Sequence, residues 1–173
     1  MKKHLFTISA VRRLIFFAML LLSYVLQFII IPRTALPFPL LLLIPVAVSV
    51  TVFEYEFAGL LWGLLAGVLW DFASPVTDGL YALIFPVIFL FTGLLTRYVL
   101  RNTCLTASIF TAVFSLIPSV LGLIYDKNNL TGEFILSVMR AEMLPALISS
   151  VIILIPVYFL TSAVYRRFSA ERF

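Results

Sequence analysis

The sequence predicts an all-α fold: a polytopic membrane protein of 173 residues in a single transmembrane domain, a compact bundle of six transmembrane helices with both termini cytoplasmic. The first observation is composition: 63% of the residues are hydrophobic, 12% are charged and the mean hydropathy is +1.16. A soluble domain of this length could not bury so much apolar surface. The others are the six apolar segments that charges and prolines delimit, and the uneven distribution of basic residues.

The six predicted spans are residues 14–31, 34–53, 57–72, 79–96, 102–125 and 143–165. The second span is rich in proline. The third is short, because Asp71 interrupts it and Pro75 ends it: the residue before a proline is pushed out of helical geometry. A helix needs roughly 20 residues to cross the hydrocarbon. Five segments are therefore comfortable spans, and the third is predicted to be a short or buried helix.

Residues 126–142 form the longest connection between spans. Apolar side chains recur there at helical spacing from Phe134 to Met143, with polar side chains on the other faces. This pattern predicts a short amphipathic helix at the outer interface. A helix that runs continuously into the sixth span and a plain loop are the alternatives that the sequence leaves open.

Basic residues are concentrated on one side of the predicted bundle. Nine of them share the side of the two termini, and three lie on the opposite side. The positive-inside rule therefore places both termini in the cytoplasm. The net charge of +4 reflects this topology, so nucleic acid is not predicted as a partner. The nine are Lys2, Lys3, Arg12, Arg13, Arg97, Arg101, Arg166, Arg167 and Arg172; the three are Arg33, Lys127 and Arg140.

Three of the seven glycines form a regular line in the third span. Gly59, Gly63 and Gly67 (the glycine line) stand at four-residue steps, and Asp71 follows at the next step. On a helix, positions four residues apart lie on one slowly rotating line. Glycine lets a second helix approach closely in lipid, where packing rather than water exclusion drives association. The glycine line is therefore predicted to pack helices, with packing inside the bundle favoured over a partner protein.

Asp71 is predicted to be a polar site at the membrane edge. A carboxylate at a helix C-terminus opposes the helix dipole, and a charge beside lipid is costly, so a specific partner is expected. Arg140 is the leading candidate, and the backbone amides that begin the fourth span are the alternative. Asp78 and Gly79 are predicted to form the turn into that span, with Gly79 in a conformation that other residues avoid.

Catalytic constellations are nearly absent from the sequence. The only histidine, His4, lies in the charged N-terminal tail, and the only cysteine is Cys104. Neither a His and Cys metal site nor a Ser-His-Asp or Cys-His arrangement is available. The carboxylates of Glu54 and Glu56 are predicted to lie in a solvated turn. We therefore expect no enzyme activity, no catalytic residue, no metal and no cofactor.

The stretch from Glu56 to Leu83 resembles the signature of the MreD family of rod shape-determining membrane proteins. That family carries the pattern G-x-x-x-G-x-x-x-G-x-x-x-D, followed shortly by a glycine that opens the next helix. The matching residues are Gly59, Gly63, Gly67, Asp71 and Gly79. The proline-rich opening of the second span, the chain length, the basic N-terminus and the six-span layout also fit.

This resemblance implies a non-enzymatic scaffold in the bacterial inner (cytoplasmic) membrane. MreD proteins complex with MreC, and through it they link MreB filaments and the RodA and penicillin-binding-protein synthases to lateral peptidoglycan synthesis. The outer rim is expected to dock MreC, and the basic rim is expected to face anionic membrane lipid. A homo-oligomer is left open.

MreD proteins also resemble the substrate-binding components of energy-coupling-factor vitamin transporters, which have six helices too. Such a transporter subunit is the alternative function. It would need a polar pocket open to the outside, and the outer half of this sequence has few polar residues. Those subunits also dock their energising partner through a small-x-x-x-small motif in the first helix, whereas residues 14–31 offer only Ala18 and Ser23 at the wrong spacing.

Overall fold

Six α-helices make up most of the part of the chain that the structure describes. The computed structural model describes residues 2–34, 40–54, 56–74, 79–100, 102–125 and 138–169. All regular structure within these ranges is helical, which confirms the predicted all-α membrane bundle. The helices are α1 (Lys2–Val25), α2 (Leu43–Phe53), α3 (Glu56–Ala73), α4 (Leu80–Tyr98), α5 (Cys104–Tyr125) and α6 (Leu144–Ser169).

The first helix extends well beyond the predicted span at its N-terminal end. It begins at Lys2 instead of residue 14, because hydropathy marks the edge of the hydrocarbon and not the end of the helix. At its other end α1 widens into a π-helical turn, Leu26–Ile30, and then narrows into a 3₁₀ turn, Ile31–Thr34. The π turn rotates the chain shortly before Pro32, and Gln27 is buried within it.

The second helix differs most from prediction. A span over residues 34–53 was expected, whereas α2 has 11 residues and starts at Leu43. Residues 40–42 are not helical, and residues 35–39, with two of the prolines, lie outside the described part. Every residue from Leu43 to Val52 is buried. The apolar sequence that looked like a lipid-facing span therefore forms a short central helix that the other helices surround.

The third helix is short, as predicted, and the fourth and fifth begin and end close to their predicted limits. Helix α6 is preceded by a π-helical turn, Met139–Met143, so the chain is helical from Val138 to Ser169. In the π turn, backbone hydrogen bonds join residues five apart instead of four. The turn lies just before Pro145, whose ring would clash with the preceding turn of a regular α-helix. Residues 126–137 of the predicted amphipathic helix lie outside the described residues.

Four helices are long and apolar enough to cross a membrane by themselves, over Ala10–Ile30, Leu80–Tyr98, Cys104–Gly122 and Leu144–Phe168. The segments Leu43–Phe53 and Phe57–Ala73 are apolar but shorter. The described residues contain the six predicted helices, and the number of complete spans among them lies between four and six. A hydrogen bond of 3.2 Å between the hydroxyls of Ser49 and Thr161 ties α2 to α6 inside the bundle.

Two ends of the bundle can be distinguished by their residues. The basic end holds Arg12, Glu54, Arg97 and Tyr165, which lie near one another around the start of α3. The opposite end holds Gln27, where α1 meets the start of α2, and Asp71, where α3 meets the start of α4.

Candidate functional site

The glycine line of α3 packs directly on the backbone of α4. A Cβ atom added to Gly59 would lie 3.0 Å from the carbonyl oxygen of Phe89, and one added to Gly63 would lie 2.8 Å from that of Phe85. A Cβ on Gly67 would meet the carbonyl oxygen of Tyr81. Each four-residue step along α3 is matched by a four-residue step backward along α4. The two helices are therefore antiparallel neighbours in fixed register, with backbone against backbone.

This contact distinguishes between packing inside the bundle and packing against a partner protein, the two roles considered for the glycine line. All three positions are buried, and their nearest neighbours belong to the same chain. Gly59 is also enclosed by α2, because its added Cβ would lie 2.8 Å from Cγ2 of Thr51. The glycine line packs helices inside the bundle, so a partner protein cannot reach it without separating α3 from α4.

Asp71 caps the start of α4. Its Oδ2 accepts a hydrogen bond of 2.7 Å from the backbone N–H of Ala82, and its Oδ1 accepts one of 3.2 Å from that of Tyr81. The first N–H groups of a helix have no partner within the helix and carry the positive end of its dipole. The carboxylate therefore satisfies two of these donors with a favourable charge. The partners of Asp71 in this geometry are the backbone amides that begin the fourth span, the alternative to Arg140.

Of the remaining predicted site residues, Gly79 lies beside this cap. Gly79 has φ +87°, a left-handed conformation that favours glycine, and it immediately precedes α4. Asp78 lies outside the described residues. Arg140 lies on the π turn before α6 and is exposed. Its ion pair with Asp71 stays a prediction.

A second cap, which the sequence analysis missed, lies where α1 meets α2. Oε1 of Gln27 accepts hydrogen bonds of 2.8 Å from the backbone N–H groups of both Leu42 and Leu43. Because both partners are donors, the amide oxygen must face them. Gln27 is 6% exposed, so these first amides of α2 are satisfied away from water. A lone glutamine in an apolar run was the available signal, since a polar side chain inside a span needs a partner.

The prediction of a solvated turn at Glu54 is wrong. The Glu54 carboxylate is buried at the end of α2 and forms an ion pair of 2.9 Å with the guanidinium of Arg12 on α1. That guanidinium also lies 5.0 Å from the ring centroid of Tyr165 on α6. Burying one such charge alone would be costly, so each residue needs the other. The pair joins three helices at the basic end. The side chain of Glu56 lies outside the described residues.

Aromatic rings continue the packing from the glycine hairpin into the rest of the bundle. The Trp70 ring of α3 contacts Phe28, in the π-helical turn that follows α1, at a centroid distance of 5.3 Å and Tyr81 of α4 at 5.5 Å. Further along α4, Phe89 contacts Phe114 of α5 at 5.5 Å. Such pairs add about 0.5–1.5 kcal/mol each beyond their buried area. These ring contacts join the α3/α4 hairpin to the π-helical turn after α1 and to α5.

The described residues form two grooves at the basic end. The larger, about 610 Å³, opens between α1 and α3 and is mostly apolar. The smaller, about 280 Å³, lies among α2, α4 and the start of α5, with Arg97 and Asn102 on its wall. Glu54 borders both grooves. Among the described residues, no three His, Cys, Asp or Glu side chains are placed to hold a metal ion.

These features define a multi-pass helical membrane protein whose polar residues cap helices and join them. Comparison with known proteins gives the family. The model of the rod shape-determining protein MreD matches residues 7–168, which is nearly the whole chain, so this chain belongs to the MreD family of rod shape-determining membrane proteins. No curated protein and no solved structure matches it.

Proposed function

We propose that this chain is a non-enzymatic scaffold of the cell-elongation machinery in the bacterial inner membrane. In this role it complexes with MreC and thereby links MreB filaments to the RodA and penicillin-binding-protein synthases of the lateral wall. The observation that carries the proposal is the family match over residues 7–168. The packed interior supports it, because the conspicuous sequence motif serves helix packing and a helix cap.

A scaffold must present partners with surfaces in a fixed arrangement. Here the α3/α4 register is fixed by backbone contact along the glycine line, and the buried Arg12–Glu54 pair fixes α1 against α2. Interfaces of preformed shape bind without first ordering their own residues. The proposed orientation places the basic end in the cytoplasm, and the outer rim, at the other end, docks MreC.

The first test is purification of the full chain from its own membranes in mild detergent, followed by identification of the proteins that accompany it. We expect MreC. Recovery of a transporter ATPase in its place would reject the scaffold and support the vitamin-transporter alternative. In parallel, a rod-shaped bacterium that lacks its own MreD should regain rod shape when this chain and its cognate MreC are expressed.

The orientation has a separate test. Reporter fusions after Arg101 and after Arg167 should report a cytoplasmic location, and one after Lys127 an external location. An external report after Arg167 would reject an even number of spans and the proposed outer position of the MreC surface.

A further inference from the structure

The groove between α1 and α3 is built from one face of each helix. Its α1 wall follows helical spacing through Ala10, Arg13, Leu14 and Phe17. Its α3 wall is apolar. The edge-on contact of Phe16 with Trp62, at a centroid distance of 6.4 Å, closes the groove toward the bundle. The residues of the α3 wall are Phe57, Ala58, Leu61, Trp62 and Leu65.

The walls of this groove face the surroundings of the bundle. Leu14 is 67% exposed, Phe57 80% and Leu61 58%. In a membrane these side chains meet hydrocarbon, so the groove is open to the lipid phase along its length. From Phe57 to Leu65 the α3 wall rises by about 12 Å, at 1.5 Å per residue. One leaflet contributes about half of the roughly 30 Å hydrocarbon core. The groove therefore has the depth of a single leaflet.

A basic side chain borders the mouth of the groove. Among the described side chains that line the groove, two are ionisable, the exposed Arg13 and the buried Glu54. Glu54 is already paired with Arg12 at 2.9 Å, and its side chain is only 1% exposed. Of these two groups, Arg13 therefore keeps its charge for a ligand, and it directly precedes the uncharged apolar run that begins at Leu14, where headgroups are expected.

Depth distinguishes an acyl chain from a transmembrane helix. A transmembrane helix would have to continue across the other leaflet, beyond the limits of the groove. A flexible acyl chain can stay within one leaflet and fits the depth of the groove.

We propose that the α1/α3 groove binds an anionic phospholipid, with an acyl chain along the α3 wall and its headgroup at Arg13. A basic residue near the membrane surface attracts anionic lipid by about 1 kcal/mol, which corresponds to roughly a fivefold preference over a zwitterionic lipid. This site is independent of the scaffold role, because it requires neither MreC nor filaments.

Trp62 provides a direct test, because it borders the groove and the chain has one other tryptophan, Trp70. In a Trp70→Phe background, Trp62 is the sole reporter of quenching by bromine atoms on acyl chains. The full chain is placed in vesicles that contain brominated phosphatidylglycerol or brominated phosphatidylcholine. Native mass spectrometry of the unmodified chain, counting retained molecules of each lipid, gives a second measurement that does not depend on the Trp70 substitution.

We expect phosphatidylglycerol to quench Trp62 with about fivefold higher apparent affinity. Arg13→Gln should abolish the preference, whereas Arg167→Gln, which removes an exposed charge away from the groove, should retain it. Ala58→Leu, which fills the groove, should lower quenching by both lipids.

Equal quenching by both lipids in the parent chain, or equal effects of Arg13→Gln and Arg167→Gln, would overturn the proposal. Loss of quenching when MreC is co-purified would also overturn it, because the groove would then be a protein interface. Retention of several phosphatidylglycerol molecules in native spectra, unchanged by Arg13→Gln, would likewise reject the site.

Discussion

The α1/α2 and α3/α4 hairpins are held together in different ways. The α3/α4 hairpin is in contact along its length, with glycines on the backbone of α4 and the Asp71 cap at the opposite end. The α1/α2 hairpin is joined by polar groups at both ends, Gln27 on the first amides of α2 and Arg12 on Glu54. Regular packing distributes stability over many small contacts, whereas the polar contacts concentrate it in a few residues.

The chemistry of the two caps follows their surroundings. Helix α2 begins inside the bundle, where Gln27 is 6% exposed, and the cap there is a neutral amide. Helix α4 begins at a partly exposed position, and the cap there is a carboxylate. A charge in an apolar interior costs more than a neutral acceptor, so the carboxylate occurs where solvent and headgroups can reach it.

The largest effect should come from Gly63→Leu in the packed hairpin. The new side chain would push α3 off Phe85 and Phe89, and we expect a loss of about 3 kcal/mol or more in unfolding free energy. Unfolding in mixed micelles of increasing SDS content measures it. The adjacent control, Leu64→Ala, alters a side chain that is 40% exposed and should cost much less. Equal losses would show that the glycine line is not a tight contact.

At the basic end of the other hairpin, Glu54→Gln should cost about 3 kcal/mol, because it leaves the Arg12 charge buried without its counter-charge. The matched variant replaces both members, Arg12→Met with Glu54→Leu, and should recover most of the loss. The same SDS titration compares them. If the double variant were as unstable as Glu54→Gln alone, the stranded charge would not be the cause.

Gln27→Met should cost about 2 kcal/mol, because it keeps the side-chain length and removes the acceptor of two buried N–H groups. Ser23→Ala is the control on the same helix: Ser23 is buried, but its hydroxyl donates to Leu20 of its own turn. That change should cost under about 1 kcal/mol. Hydrogen exchange at the amides of Leu42 and Leu43 should accelerate in Gln27→Met only.

Asp71→Asn should have the smallest effect, about 1 kcal/mol, because an amide oxygen can still accept one of the two hydrogen bonds. A double-mutant cycle with Arg140→Gln decides between the alternatives for Asp71. Since both carboxylate oxygens already bind α4, we expect the two losses to add within about 0.5 kcal/mol. A coupling above about 1 kcal/mol would establish the ion pair instead.

The two hairpins also differ in how far the sequence could predict them. The glycine line and Asp71 repeat every four residues on one helix, so periodicity alone identifies a packing face. Gln27 and Glu54 act through partners 15 or more residues away, and no local period links them. Hydropathy could not separate residues 40–42 from the helix that begins at Leu43, because an apolar segment has the same composition whether or not it is helical.

The short central helix has a consequence for how the protein is made. Helix α2, at 11 residues, rises only about 16 Å and cannot cross the membrane as an independent unit. Its first amides find their acceptor on Gln27, a side chain that has already left the ribosome when α2 emerges. Insertion of α2 is therefore coupled to the prior placement of α1. We therefore expect a stage in biogenesis at which the nascent α2 lies beside α1 before the later helices, α3 to α6, pack around it.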